Sequence, residues 1–212
     1  MVLMTALELL EQVSRELQDT ERVRWPLTEL AAYVDVGQLH IMTKAPHAAC
    51  VERTLTLAEG SRQSVPADCM GMLEALCNAE GKQRAISQVA RADMDAARPN
   101  WERTAPGREV VHVVQDARTP TRFQVWPPAR EGARIRVLLA LRPVPVGADA
   151  AGALTLREEF HEALRHYVLY RAWSKDAEFA SNAQLATAHL QACYEALGVT
   201  PARPVTGDDP SR

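Results

Sequence analysis

The sequence predicts an α+β protein: helix hairpins from the N- and C-terminal parts of the chain form a bundle, and a strand-rich, antiparallel β subdomain is inserted between them. Two observations carry this prediction. Apolar residues recur at helical spacing near both ends, whereas apolar and polar residues alternate in the middle. We therefore expect residues 1–48 and 154–198 to form the helical bundle, 49–143 the β-rich subdomain, 144–153 a linker and 199–212 an extended C-terminal tail.

The N-terminal hairpin is predicted from two helical patterns. Pro26 suits the first turn of the second helix, because its missing N–H has no helical partner there. Gly37 lies near the apolar face of that helix, and the absent side chain would let another helix approach closely. The first helix is marked by apolar residues at three- and four-residue spacing, namely Leu3, Leu7, Leu10, Val13 and Leu17.

The middle of the chain is typical of short strands separated by turns. Residues 51–57 alternate in polarity, Gly60 offers a turn, and residues 62–65 are expected to form a short return strand ended by Pro66. The segment "MLEALCN" is compatible with a strand or a helix, and "ARADMDAARPNW" with a short helix ended by Pro99. Further strands are expected in "RAISQV", in "EVVHVVQD", in "TRFQVW", which pairs with the preceding strand across the "ARTP" turn, and in "ARIRVLLAL".

Two long helices are predicted after the linker. Thr155 precedes the first as a cap, with Glu158 at capping-box spacing. Leu169 and Trp173 lie nearly opposite the main stripe of that helix, so each should contact another element of the same chain or a neighbouring subunit. The second helix runs from about residue 182 to 197 and ends at Gly198. The main stripe of the first helix is Leu156, Phe160, Ala163, Leu164, Tyr167 and Tyr170.

Composition argues against several function classes. The 212 residues are 47% hydrophobic, which is enough for a core, and the net charge of −3 argues against general electrostatic binding of nucleic acid. No stretch approaches the ~20 apolar residues of a membrane span. The cysteines have no C-x-x-C spacing, and we interpret Cys50, Cys69, Cys77 and Cys193 as small buried hydrophobes.

The segment "FHEALRH" comes nearest to a metal motif. His161 and His166 are directed roughly 140° apart on a helix and therefore cannot chelate one ion from it. Glu158 and His161 match the Glu-x-x-His motif of di-iron bundles, but a second copy of that motif is missing. We interpret all three as solvated helix-face residues. The sequence predicts no enzyme, and no catalytic, cofactor-binding or metal-binding residues.

Four segments, taken in order, resemble the adaptor (head-to-tail connector) proteins of tailed bacteriophages. They are "RVRWPLTELAAYVDVGQLHI", "TLTLAEGSRQSVPADCMGML", "ISQVARADMDAARPNW" and "DARTPTRFQVWPPA". The most specific parts are the Trp-Pro helix start with Gly-Gln in the same helix, the G-S/T-R-Q-x-x-P turn and the F-x-V-x-P-P strand end. The resemblance spans about Leu3 to Leu197, and none of its motifs is a catalytic signature.

The resemblance implies a structural virion protein at the head–tail junction, made in the host cytoplasm. Such a protein forms a ring, commonly dodecameric, between the portal and the tail or nozzle protein, and DNA passes through its bore without specific binding. No membrane and no cofactor are implied. A closed ring needs two different faces of each subunit to meet, and a second apolar face at Leu169 and Trp173 fits that need.

The tail, residues 199–212, contains three prolines and two adjacent aspartates and has almost nothing to bury. Tails of adaptor proteins of this kind are often docked against the portal, which leads us to expect an extended strip that contacts the portal. The residues assigned to this contact are Val199, Pro201, Arg203, Pro204, Val205 and Arg212.

Two other functions stay open from the sequence alone. A nucleic-acid-binding module would use Arg134, Arg136 and Arg142, although the net charge and the lack of interleaved exposed aromatics argue against it. A metal-binding enzyme on the helical bundle is the other alternative, and the missing second Glu-x-x-His motif argues against it.

Overall fold

The computed structural model describes residues 4–175 and 179–199 and divides into two compact units. One unit is helical and is formed by the chain up to Ala45 together with the chain from Val144 onward. The other unit, Pro46–Pro143, contains the strands. The described residues are therefore mixed helix and strand, which confirms the predicted α+β class.

The helices and strands have the following bounds. The helices are α1 (Ala6–Glu16), α2 (Leu27–Lys44), α3 (Arg91–Ala97), α4 (His161–Ser174) and α5 (Ala180–Ala196). The strands are β1 (Cys50–Thr56), β2 (Gly60–Ser64), β3 (Cys69–Asn78), β4 (Ser87–Val89), β5 (His112–Gln115), β6 (Arg122–Ala129) and β7 (Arg134–Leu141).

The start of α1 and the turn after it are fixed by side chains that bind backbone N–H groups. Thr5 and Glu8 form a capping box, in which each side chain accepts a hydrogen bond from the other residue's backbone. After the helix, the Asp19 carboxylate accepts hydrogen bonds from the backbone N–H groups of residues 23–25 at 2.9–3.0 Å. These bonds, above all the one from Trp25, hold the pKa of Asp19 below its usual value.

The predicted close approach at Gly37 is present. A Cβ atom at Gly37 would lie 2.7 Å from Leu164 Cδ1 and 2.9 Å from Tyr167 Cδ1, both on α4. Leu164 and Tyr167 are themselves buried, so the two helices pack closely at the one position of α2 that has no side chain.

Segment 144–153, expected to be a linker, is packed into the helical unit. Val146 and Ala150 are buried, and the Val146 N–H donates to the Asp35 side chain on α2 at 2.9 Å. The expectation for Thr155 was wrong. Its hydroxyl accepts a hydrogen bond from the Val144 N–H instead of capping a helix, and α4 begins only after a 3₁₀ turn at Glu158–Phe160.

The strands form two sheets that share one hydrophobic core. The first sheet has the order β1-β7-β3 and is antiparallel, and the second has the order β2-β6-β5-β4, in which β4 and β5 are parallel. On the apolar face predicted for β7, Ile135, Val137 and Leu139 are fully buried and Leu141 is partly buried. The core draws on both sheets and includes Leu55, Ile135, Val137 and Leu139 from the first and Val113, Phe123 and Val125 from the second.

Two strand predictions are settled by pairing between distant segments. The segment with "MLEALCN" is strand β3 and not a helix. The strand predicted at residues 62–65 is present as β2, but its expected pairing with the preceding strand is wrong, because β2 pairs with β6 in the second sheet, whereas β1 pairs along its full length with β7. Gly60, with φ of +102°, makes the turn between the two sheets. The predicted pairing of the "EVVHVVQD" and "TRFQVW" strands is confirmed by the β5–β6 ladder.

Replacing Gly37 with alanine tests the close approach of α2 and α4. In an open helix this change is favourable by roughly 0.5–1 kcal/mol. Here the added methyl group meets two buried side chains, so we expect Gly37→Ala to lower the free energy of unfolding by about 1–3 kcal/mol in urea titrations. Ala32→Gly, on the exposed face of the same helix, is the control and should cost only about 0.5–1 kcal/mol. A stabilised Gly37→Ala protein would contradict the packing described here.

Candidate interaction surfaces

One exposed side of α2 consists of uncharged residues. Five residues at helical spacing cover an arc of about 80°, and all five are exposed. Val36 and Leu39 are 44% and 48% exposed, although both side chains are large and apolar. The α2 face, as we name it, is therefore a continuous uncharged surface on a helix whose other side is already buried. Its members are Thr28, Ala32, Val36, Leu39 and Thr43.

Helix α5 has few buried residues and few charged residues. A helix whose outer side faces only solvent usually has more of both. Of its 17 residues, Ala186 and Cys193 alone are buried, and Glu195 alone is charged. The whole chain is 24% charged, so about four charges would be expected in this length. The α5 face, as we name it, consists of uncharged side chains: small or neutral polar residues and one exposed leucine. Its members are Ser181, Gln184, Leu185, Ala188 and Gln191.

Leu169 and Trp173, the two residues assigned to a subunit interface, differ in how far they are buried. Leu169 is fully buried within its own chain, so its second face is covered by another element of the same chain. Trp173 is half-buried, and its ring packs edge-on against that of Trp25 with centroids 5.8 Å apart. Trp25 in turn donates its indole N–H to the Ala172 carbonyl at 3.2 Å. Trp173 therefore has an intramolecular role and retains some exposed surface.

The residues assigned to portal contact fall almost entirely outside the described part of the chain. Pro201, Arg203, Pro204, Val205 and Arg212 lie beyond it. Val199 is the last described residue, and its N–H donates to the Tyr194 carbonyl at 3.0 Å. Together with Gly198 at φ of +65°, this bond closes the C-terminus of α5 as predicted.

The basic strand considered as a nucleic-acid site has its charges offset by carboxylates. On β7, Arg134 pairs with Glu80 at 2.8 Å and Arg136 pairs with Glu52 at 2.6 Å. Arg142, just beyond that strand, has its Nε directed at the Ala67 carbonyl. This face of the first sheet therefore presents paired charges, which is unfavourable for binding phosphates.

Glu158, His161 and His166, which come nearest to a metal motif in the sequence, do not form a common site. Glu158 lies in the 3₁₀ turn before α4. His161 is buried, contrary to the expectation of a solvated residue, and its Nε2 lies 3.1 Å from the Leu156 carbonyl oxygen. Within the described ranges no group of three or more histidine, cysteine or acidic residues is arranged to hold a metal ion. Nor is any described helix long and apolar enough to cross a membrane.

The cysteines agree in part with their predicted role. Cys69 and Cys193 are buried, Cys50 and Cys77 are half-buried, and all four are free thiols. Burial raises the pKa of the Cys193 thiol to about 11, so this group stays protonated and unreactive near neutral pH.

A histidine pair that the sequence did not reveal joins α4 and α5. The Nδ1 atoms of His166 and His189 lie 3.0 Å apart, and both side chains are largely buried. Glu162 lies 3.2 Å from His166 Nε2, and Glu16 of α1 lies 3.8 Å from His189 Nε2. Arg165 pairs with both carboxylates. The two histidines are 23 residues apart, so no local spacing could have indicated their contact.

Only one proton fits between the two Nδ1 atoms, so the contact is lost when both rings are doubly protonated. Burial is the main cause that lowers the pKa of His189; Glu16, the next largest effect, acts in the opposite direction, and His166 and Arg165 lower this pKa further. A lowered folded-state pKa means that the unfolded chain takes up a proton near pH 6.5 while the folded chain does not. His189 thus stabilises the fold above about pH 6.5 and less so as the pH falls.

Replacing His189 with glutamine tests this linkage. Between pH 7.5 and 5.5 the wild-type protein should lose stability on acidification, and His189→Gln should lose distinctly less, because one histidine that resists protonation is removed. Burial also lowers the pKa values of His40 and His112, so these residues contribute to the pH dependence of stability in both proteins. His189→Gln should therefore still lose some stability on acidification. Melting temperatures across this range provide the measurement, with exposed His47→Gln as the control. An unchanged slope in His189→Gln would contradict the proposed linkage.

Comparison with known proteins identifies the family. The family model described as SU10 adaptor protein matches residues 4–210, nearly the whole chain, whereas a search of curated proteins found no match. The match confirms the resemblance to phage adaptors, which rested on four ordered segments without catalytic motifs. The chain belongs to the SU10 adaptor protein family, a family of phage structural adaptors and not a class of enzymes.

Proposed function

We propose that this protein is a virion component that forms a homo-oligomeric ring between the portal and the tail or nozzle protein, with DNA passing through the bore. Family membership over residues 4–210 carries the proposal. The ring is commonly dodecameric in proteins of this kind, and we take that as the expected size. Virion location at the head–tail junction follows from the same proposal.

The distribution of exposed apolar residues supports ring formation through the helical unit. Among the described residues, every large apolar side chain that is clearly exposed belongs to the helical unit. Apolar side chains that are exposed next to one another, as Val36 and Leu39 are on α2, are typical of protein–protein contact, whereas single exposed apolar residues are common on any surface. The residues concerned are Val23, Val36, Leu39, Val144, Phe179 and Leu185.

Ring closure places a requirement on these surfaces. In a cyclic ring each subunit meets its two neighbours through different patches, so two distinct uncharged surfaces are needed. The α2 face and the α5 face are two such surfaces. We propose that the α2 face of one subunit packs against the α5 face of the next.

Trp173 is a second contributor to the proposed interface. Its half-exposed ring is held in place by Trp25, so it would meet a neighbour without losing side-chain freedom. Leu169, which is fully buried, would support α4 from within and would not touch the neighbour. Because Trp173 also packs inside its own chain, replacing it would change folding as well as assembly.

Attachment to the portal is assigned to the tail, residues 199–212. Its prolines already restrict the backbone, so less conformational entropy is lost when the segment is bound in an extended form. Arg203 and Arg212 would meet acidic groups on the portal.

Adding charge to the α2 face tests the ring interface. Val36→Glu with Leu39→Glu places two carboxylates on exposed positions, so the free energy of unfolding should change by no more than about 0.5 kcal/mol per site. We expect assembly to fail nevertheless, because the charges would be buried without partners at the interface. Val23→Glu with Val144→Glu adds the same charge at exposed positions outside both faces and should assemble normally. Mass photometry of the assemblies measures the outcome, and normal rings from the α2-face variant would contradict the proposed interface.

Truncation after Gly198 tests the tail. The shortened chain should form rings like the full chain and melt within a few degrees of it, because α5 ends at Ala196, before the cut, and the described bond that is lost is the one from the Val199 N–H to the Tyr194 carbonyl. Its affinity for purified portal should fall roughly tenfold or more, equivalent to about 1.4 kcal/mol. Surface plasmon resonance against immobilised portal gives the affinities, and unchanged binding by the truncated chain would refute the tail assignment.

A further inference from the structure

The two units carry opposite net charges. Residues 46–143 contain 14 lysine and arginine residues against 11 aspartate and glutamate residues, a net charge of +3. The rest of the chain contains 10 basic against 16 acidic residues, a net charge of −6. The overall charge of −3 therefore conceals a basic β unit, which is the part of the chain suited to an anionic ligand.

The surface of the β unit is also polar. None of the clearly exposed large apolar residues described above lies between residues 46 and 143. Protein partners usually anchor on apolar or aromatic side chains, which this surface does not offer among its described residues. A polar, basic surface instead suits a ligand that is itself polar and negatively charged.

An arginine-lined groove of about 320 Å³ lies on the second sheet. Arg62 of β2 pairs in register with Gln124 of β6, and Arg122 lies two residues before Gln124 on the same face of that strand. Arg62 and Arg122 are thus diagonal neighbours, about 7–8 Å apart at their backbones. Arg91, at the start of α3, lines the same groove. We name this site the arginine groove.

Glu102 orients the donors of the arginine groove. Its Oε1 accepts hydrogen bonds from Arg91 at 2.8 Å and from Gln124 at 3.0 Å, and its Oε2 lies 3.9 Å from Arg62. Arg91 also donates to the Gln124 side-chain oxygen at 2.7 Å. Arg91, whose Nε also lies 3.4 Å from Asp95, is therefore held in place with its charge offset by two carboxylates, whereas Arg62 has a side chain that is 86% exposed and only weakly engaged.

The other carboxylate of the groove already has a partner. Asp116 accepts hydrogen bonds from the Arg118 guanidinium through both carboxylate oxygens, and these bonds lower the pKa of Asp116 to about 2. Arg118, two residues along the chain, thus offsets the negative charge of Asp116. Arg122 is exposed and has no ion pair with any described residue. The groove thus retains positive charge available to a ligand, chiefly from Arg62 and Arg122.

We propose that the arginine groove binds the phosphodiester backbone of DNA, through Arg62, Arg122 and the pre-oriented Arg91. Guanidinium groups bind phosphate oxygens by paired hydrogen bonds, and glutamine and threonine side chains such as Gln124 and Thr119 are common additional donors. The groove offers no exposed aromatic ring for base stacking, so binding is independent of sequence. This inference rests on the proposed function for the origin of the DNA, but the site itself is defined by the β unit alone.

The experiment measures binding of a short fluorescein-labelled DNA duplex by fluorescence anisotropy at about 50 mM salt, where phosphate contacts are strongest. The test variant is Arg62→Gln with Arg122→Gln. The matched control is Arg134→Gln with Arg136→Gln, which removes the same charge from the first sheet, where both arginines are paired with glutamates. Both variants change exposed or half-exposed residues, and melting curves confirm that they fold.

We expect the wild-type chain to bind two unrelated duplex sequences equally, with log affinity falling against log salt at a slope of roughly −3. The groove variant should bind roughly tenfold more weakly, with a slope smaller in magnitude by about 2, and the control should stay close to wild type. Equal losses in the two variants would overturn the proposal, because binding would then depend on net charge alone. Failure of the wild-type chain to bind DNA would overturn it as well.

Polyglutamate with the same number of negative charges as the DNA duplex tests for the other possible ligand, an acidic protein segment. Binding of polyglutamate as tight as that of DNA would assign the groove to an acidic protein segment and overturn the proposal. Mass photometry and portal binding of the groove variant are measured in parallel and should match wild type. Loss of DNA binding with intact rings supports the groove, whereas absence of rings in the wild-type protein would contradict the proposed function and leave the DNA measurement valid.

Discussion

The helical unit depends on contacts between chain segments that are separated by the whole β unit. Its two halves are joined by Gly37 against Leu164, by Trp25 against Ala172, and by the Asp35 side chain bound to the backbone of Val146. Closing a flexible loop of about 100 residues would cost about 4 kcal/mol in chain entropy. The β unit removes much of this cost, because β1 pairs with β7 and brings Cys50 opposite Ala140. The two ends of the insertion therefore lie side by side once the first sheet has formed.

Surface chemistry divides between the units in a way that fits an adaptor. The helical unit is acidic and carries the exposed apolar residues, whereas the β unit is basic and polar. Exposed apolar surface gives contact with protein, and unpaired guanidinium groups give contact with phosphate. The net charge of the whole chain does not show this division, because −3 is the sum of −6 for the helical unit and +3 for the β unit. An argument from overall charge against contact with nucleic acid therefore does not hold for the β unit.

Several polar side chains have roles that differ from those their local sequence indicates. Thr155 has capping-box spacing, but it binds the backbone of Val144 because segment 144–153 packs into the helical unit. His161 occupies a position that looks solvated, yet it is buried beside the Leu156 carbonyl. His166 finds its partner on another helix, at His189. In each case a backbone group or a second helix supplies a hydrogen-bond partner that cannot be identified from neighbouring residues.

The sequence by itself determined the α+β class, most helix and strand positions, the close approach at Gly37, the end of α5 at Gly198 and the family. These features depend on local periodicity, on glycine and on ordered motifs, all of which are properties of neighbouring residues. The absence of charge on the α2 face and on the α5 face can also be read from the sequence, but it points to an interface only once burial shows that these sides of the helices face solvent. Tertiary structure alone decided that β2 joins β6 and not β1, and that Arg62 and Arg122 share a groove. Strand pairing is decided by long-range packing, because a short strand can satisfy its hydrogen bonds with any neighbour of suitable register.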